Sequence, residues 1–98
     1  MTEWIWDPAK DRINRSKHQG LSLADGVPAL SDPLSISRLD PETQEERWQT
    51  IGMAGGIAVL FVVHTEPVEQ SDGTMRGRIV GVRKATRRER EDYEKGPF

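Results

Sequence analysis

Apolar residues in this chain fall into short stretches separated by turn formers and charge. The densest, Ile57 to His64, is apolar at every position up to Val63 and reads as a central strand. Ala54-Gly55-Gly56 ahead of it is a turn, because paired glycines take positive φ without a steric cost. Arg47 to Met53 alternates around Trp48, Thr50 and Gly52, and Leu34 to Arg38 alternates as LSISR. Arg76 to Arg83 carries the β-branched Ile79, Val80 and Val82 and forms a further strand. Glu3-Trp4-Ile5-Trp6 is a short strand with aromatic content. Asp40 to Glu46 is an acidic loop, and Thr65 to Met75 a polar one with Asp72-Gly73 near its tip.

Helices are marked by their ends. Asp7-Pro8 supplies a cap and a first-turn proline, so a helix runs from Pro8 to about Gln19 and stops at Gly20. Its apolar stripe is poor, with Ala9 and Ile13 and little else. Lys10, Asn14, Lys17 and His18 share one broad arc of it, which presents polar groups outward. Ser22 and Asp25 form a capping box for a second helix over Leu23 to Leu30, made irregular by Gly26 and Pro28. Thr86 and Glu89 form another box ahead of a C-terminal helix. The order is β-α-α-β-β-β-β-α, an α+β domain. Short connections favour an antiparallel sheet of four to five strands, with the two N-terminal helices on one face. The other face is left partly open. Residues 1–95 form a single domain and 96–98 a tail that frays.

Charge changes this picture. Arg76 to Arg90 holds seven of the 14 basic residues against Glu89 alone, a sum of +6 in a chain of net −2. Lys10 to Lys17 sums to +3, and His18 to Met75, between them, to −7. If the two basic segments meet in space they make one positive surface suited to RNA. Internal pairing of acidic and basic segments satisfies the same pattern. The chain has no cysteine, which excludes disulfides and thiolate metal sites. The longest apolar run is too short to span a bilayer, and Met1-Thr2-Glu3 does not open a signal peptide. These features point to a cytoplasmic protein without a membrane partner.

Several motifs taken together resemble the BrnT toxins. They are Trp6-Asp7-Pro8-Ala9-Lys10 with Asn14 and Lys17-His18, then Glu46-Arg47-Trp48 with Thr50-Ile51-Gly52, then Val63-His64-Thr65, and lastly Arg83 to Arg90 with Tyr93. Gln19 stands between His18 and Gly20, where the family usually runs directly from His to Gly. The resemblance implies a RelE-like fold and a ribonuclease toxin of a type II toxin–antitoxin system. It also implies a BrnA-type ribbon-helix-helix antitoxin, through which alone the toxin would meet DNA.

RNA cleavage without metal needs the 2′-OH deprotonated, the phosphorane charge stabilised and the 5′-oxygen protonated. The expected catalytic residues are Arg47, His64 and Arg83, at strand ends that gather along one edge. Each arginine has an alternative as a rim residue pairing with Glu45, Glu46 or Glu66. Lys10, Lys84, Arg87, Arg88 and Tyr93 are the residues expected to touch RNA, though the lysines also fit solvated faces and Tyr93 also fits packing against the sheet. His18, at a helix C-terminus, reads as a cap or dipole partner. Trp4, Trp6 and Trp48 read as core. No metal ligand set and no cofactor site is evident. The alternative to a growth-inhibiting endoribonuclease is a non-catalytic module that docks RNA or a protein partner, or a degenerate toxin that only binds its antitoxin.

Overall fold

The turn at Gly55 and Gly56, at φ 60° and 68°, folds the longest hairpin back on itself and fixes the register of the sheet. The computed structural model describes residues 2–44, 46–96 and 98. It runs through β1 (Thr2–Ile5), α1 (Pro8–Lys17), a 3-10 turn (Leu23–Asp25), α2 (Gly26–Leu30), β2 (Ile36–Leu39), β3 (Arg47–Ala54), β4 (Ala58–Thr65), β5 (Val68–Glu69), β6 (Met75–Lys84) and α3 (Arg87–Lys95). The sheet order is β1-β6-β4-β3-β2, with β5 pairing β6 off that path.

Three expectations are corrected. The sheet is mixed, because β1 pairs with β6 in parallel while every other pairing is antiparallel. β1 and β6 are far apart in the chain and no hairpin turn joins them, so the direction of their pairing is decided by packing. The element order also differs from β-α-α-β-β-β-β-α, by the 3-10 turn ahead of α2 and by β5 inside the polar loop. Ile57, placed at the start of the apolar strand, lies in the turn and is 90% exposed.

The topology explains the helices. β1 is at one edge of the sheet and β2 at the other, so the chain between them must travel across. α2 settles on the sheet at Gly52, where an added Cβ would overlap the carbonyl oxygen of Ala29. Leu23 and Ala29 there meet Leu60, Val62, Ile79 and Val82, with Trp4, Trp6, Leu21, Val27 and Leu30 packed around them. On the opposite face Ile51, Phe61 and Ala85 form a second cluster, with Tyr93 and Phe98 packed against it. That face, expected partly open, is covered in part by α3 and by the Phe98 ring, which stands edge-on to Phe61 with centroids 6.5 Å apart.

α1 is held differently. Its cap forms as expected, with Asp7 Oδ1 accepting from the Ala9 N–H at 2.9 Å. Its one buried residue is polar: Asn14, 6% exposed. β1 pairs with β6 only as far as Arg78, which leaves the outer side of the last turns of β6 without a strand. Asn14 fills that place. Its Oδ1 accepts from the Val82 N–H (3.0 Å), and its Nδ2 donates to the carbonyls of Val82 (2.9 Å) and Leu21 (2.8 Å). One amide thus imitates a neighbouring strand for one residue and ties α1 to the sheet, in place of the outward position expected for it.

Asn14→Ala leaves buried backbone groups of Val82 unpaired, which should cost about 2–3 kcal/mol. Asn14→Asp should recover little, because a carboxylate cannot donate to the two carbonyls. Urea unfolding midpoints check both; an alanine variant as stable as the parent would refute this account of α1.

Candidate functional site

A groove with a basic lining lies between α1 and the outer edge of β6. Its first stretch is lined by Lys10, Ile13, Asn14, Lys17, His18, Val80 and Gly81. A second, lined by Lys17, His18, Gln19, Leu21, Arg83, Lys84 and Thr86, continues it past the end of β6. Lys17 and His18 belong to both, so the two stretches adjoin. Helix geometry accounts for the lining. Lys10, Lys17 and His18 stand at i−4, i+3 and i+4 from Asn14, so burying Asn14 against β6 brings all three to the rim. The two basic segments of the sequence therefore meet here.

His18 ends α1 through its backbone. Its N–H donates to the Asn14 carbonyl (2.9 Å), and its carbonyl accepts from the Leu21 N–H (3.0 Å). Gln19 then takes φ 57° and Gly20 φ 82°. The cap expected of the His18 side chain is thus supplied by the main chain, and among the described residues its imidazole has no hydrogen-bond partner.

Arg83 lines the groove but is tightly held. NH1 and NH2 donate to Oε1 and Oε2 of Glu89 at 2.7 and 2.9 Å, and the guanidinium lies 3.9 Å from the centroid of the Phe61 ring. Its acidic partner is Glu89, rather than Glu46 or Glu66; Glu45 lies outside the described residues. Glu89 also accepts from the Thr86 N–H (2.8 Å), while Thr86 Oγ1 accepts from the Glu89 N–H (3.2 Å), the expected capping box. Burial would push the Glu89 carboxyl up. Arg83 and the Thr86 backbone outweigh this and hold it below its ordinary value.

Arg47, His64 and Arg83 do not gather at one edge. Arg47 opens β3 opposite Thr65, and Arg83 lies opposite Phe61, four residues further back along β4. That is about 13 Å along the strand. β3 and β6 both run antiparallel to β4, so the start of one and the end of the other lie toward opposite ends of the sheet. His64 is on the helix-covered face, 7% exposed, under the edge of Trp4 with ring centroids 5.1 Å apart. Its Nδ1 is 2.9 Å from the Thr65 carbonyl and its Nε2 2.6 Å from Thr50 Oγ1, which in turn lies 2.7 Å from Ser37 Oγ. A carbonyl can only accept, so Nδ1 carries the proton and Nε2 accepts from Thr50. The Thr50 proton being used there, Ser37 donates to Thr50. Burial pushes the His64 pKa below its ordinary 6.5, against smaller upward pulls from the Thr65 carbonyl and Glu66.

Of the residues expected to touch RNA, Lys10 and Lys84 reach the groove. Arg87 and Arg88 sit on the exposed side of α3 with Glu91, Asp92 and Lys95. The Tyr93 hydroxyl donates to Asp32 Oδ2, which raises the tyrosine pKa and anchors α3. Lys17 and His18 were missing from the expected site. Their signal was the shared arc with Lys10 and Asn14, which acquires a direction only once Asn14 is seen to be buried. Among the described residues no three His, Asp or Glu side chains cluster as a metal ligand set, and no helix is long and apolar enough to cross a membrane.

Comparison with known proteins gives a family. The model for the ribonuclease toxin BrnT of type II toxin–antitoxin systems matches residues 6–89. The 1.1 Å crystal structure of the Brucella abortus ribonuclease toxin BrnT is similar to this chain, with 27% identity and a TM-score of 0.59. That match covers 89% of this chain and 99% of that one. No curated protein matches.

The buried His64 sets a pH dependence. Its folded pKa is depressed, so below about pH 6.5 the unfolded chain binds the proton first. Stability should be full above that pH and fall as pH drops from there towards the folded pKa. Further loss should follow at lower pH as Glu89 and Asp32, both held below their ordinary values, are protonated. His64→Gln should flatten the first part and leave the second. Urea midpoints measured across this range test it; an unchanged slope in the variant would contradict the assignment.

Proposed function

The chain belongs to the BrnT family of ribonuclease toxins of type II toxin–antitoxin systems, and we propose that it is a metal-independent endoribonuclease that takes single-stranded RNA into the groove between α1 and the edge of β6. The observation that carries this is the meeting of Lys10, Lys17, His18, Arg83 and Lys84 along two adjoining stretches of groove in an acidic chain. Three ammonium groups there suit a phosphate backbone, and fixed cations beside a phosphate stabilise the charge of a phosphorane. A metal ion is one way to supply that charge, and these side chains are another.

Within this reading Lys10, Lys17 and Lys84 touch phosphates. Arg83 acts as a positioning residue, since its guanidinium is already engaged by Glu89 and Phe61 and sets the path from β6 into α3. We assign Arg47 and His64 to the fold, because one lies toward the other end of the sheet and the other is buried with both ring nitrogens bonded. Arg87, Arg88 and Tyr93 fall outside the groove.

A type II toxin has a protein antitoxin. The proposed partner is a BrnA-type ribbon-helix-helix protein that covers the groove, and the proposed outcome of free toxin is RNA cleavage in the cytoplasm that stops translation and growth. The likeness to a RelE-like fold belongs to the same proposal.

Purified protein incubated with RNA in excess EDTA should cleave it, leaving 2′,3′-cyclic phosphate and 5′-hydroxyl ends. RNA that stays intact with and without added divalent metal would favour the non-catalytic binding module. Lys10→Gln, Lys17→Gln and Lys84→Gln should each weaken RNA binding and lower the slope of log K against log salt by about 0.7 for every phosphate left without its lysine. A slope unchanged in all three would place RNA elsewhere on the protein.

A further inference from the structure

We infer that His18 is the proton-transferring residue of this site, a catalytic residue in place of His64; the inference rests on the ribonuclease reading. The chemistry needs a proton-transferring group, and among the described residues lining the groove the one imidazole is that of His18. Lysine and arginine side chains are cations there, and Gln19, Thr86, Asn14, Leu21, Ile13, Val80 and Gly81 do not titrate near neutrality. Among the described residues no carboxylate lines either stretch. The acid next to Arg83 is Glu89, occupied by Arg83 and Thr86.

The two histidines are complementary in their surroundings. Both ring nitrogens of His64 are committed to partners beneath Trp4. His18 is half-buried, lies in both stretches of the groove, and caps α1 with main-chain atoms alone. Its imidazole is therefore held near the cations without being used to hold the fold. The charged groups along its groove are Lys10, Lys17, Arg83 and Lys84. Thr86 lies at the end beside Lys84.

The step balances. The neutral imidazole takes the 2′-hydroxyl proton as the 2′-oxygen bonds to phosphorus and the bond to the 5′-oxygen breaks. A water of the open groove protonates the departing 5′-oxygen, and the hydroxide left behind recovers the proton from the imidazolium. The products are a 2′,3′-cyclic phosphate and a 5′-hydroxyl. The lysines neutralise the phosphorane meanwhile.

The test uses the full chain, a fluorescent single-stranded RNA of mixed sequence, and His18→Ala beside the parent. Single-turnover cleavage should fall by at least about 100-fold in the variant, the usual contribution of general acid–base catalysis. RNA affinity by anisotropy should change by no more than about threefold, well below that rate loss. Added free imidazole should restore part of the rate to His18→Ala, with a pH dependence following the neutral base, and should restore none to His18→Gln, whose side chain fills the space. A structural role would not produce rescue. Cleavage by His18→Ala at the parental rate, or a loss that imidazole does not repair, overturns the inference while the ribonuclease reading stands. A parent that leaves the RNA intact removes that reading and the inference with it.

Discussion

The tie between α1 and the edge of β6 is one amide, with Asp11 Oδ1 accepting from the Leu23 N–H (2.7 Å) as the tie to the 3-10 turn. A helix with almost no apolar stripe gains little from burial and needs another reason to stay on the sheet. Asn14 supplies it by giving both polar groups of Val82 a partner where β1 has ended. Because the bonds are directional, they fix the rotation of α1 about its own axis as well as its distance from β6. Lys10, Lys17 and His18 then face the edge of β6 as a geometric consequence. A hydrophobic stripe would hold the helix in place with a looser rotation, and the basic rim would be less well defined.

The second fixed point is where β6 turns into α3. Glu89 completes the cap with Thr86 and pairs bidentately with Arg83, so one carboxylate joins the end of the strand to the start of the helix. Phe61 lies beneath the guanidinium and shelters it from water, which strengthens the pair over an exposed one. At the far end of α3, Asp32 accepts from Tyr93 and from the Met53 N–H. The helix is thus pinned at both ends by carboxylates, and Tyr93 is the residue of α3 packed against the second cluster.

Much of this was legible in the sequence. The caps at Asp7, Ser22 and Thr86, the glycine turn and the runs of alternation carry their own local physics, and each is found near its expected place. The direction of β1 was not legible, since no local turn encodes it. The separation of Arg47 from Arg83 was legible but overlooked: in any meander the first and third strands run the same way. Asn14 reads as one polar residue among several on a helix face, and nothing near it in sequence announces that its partner is Val82, 68 positions away. The surroundings of the two histidines are likewise set by non-local contacts. His64 ends a strand, which suggested a cleft, but its side of the strand is the buried one. His18 ends a helix, which suggested a cap, but the main chain already makes it.

The charge pattern left two arrangements open, internal pairing and a common positive surface, and the protein shows both. Arginines do the pairing: Arg15 with Asp11, Arg76 with Glu3, Arg83 with Glu89 and Arg87 with Glu91. Arg38 bonds Gln49 and lies over Phe98, and Arg90 donates to the Ala85 carbonyl. Lys10, Lys17 and Lys84 have no ion pair among the described residues, and all three line the groove. The division follows from the side chains. A planar fork with several donors fixes two elements relative to each other, whereas an ammonium on a flexible stem is a mobile point charge. In the proposed ribonuclease reading such charges would follow a phosphate as its geometry changes from diester to phosphorane, while Arg83, held by Glu89, keeps one wall still. An acidic chain can therefore carry a basic groove without a net positive charge, because most of its acids lie in the segment between the two basic ones. The field that an anion meets in the groove is then set by Lys10, Lys17 and Lys84, and the place of the first two is set by Asn14.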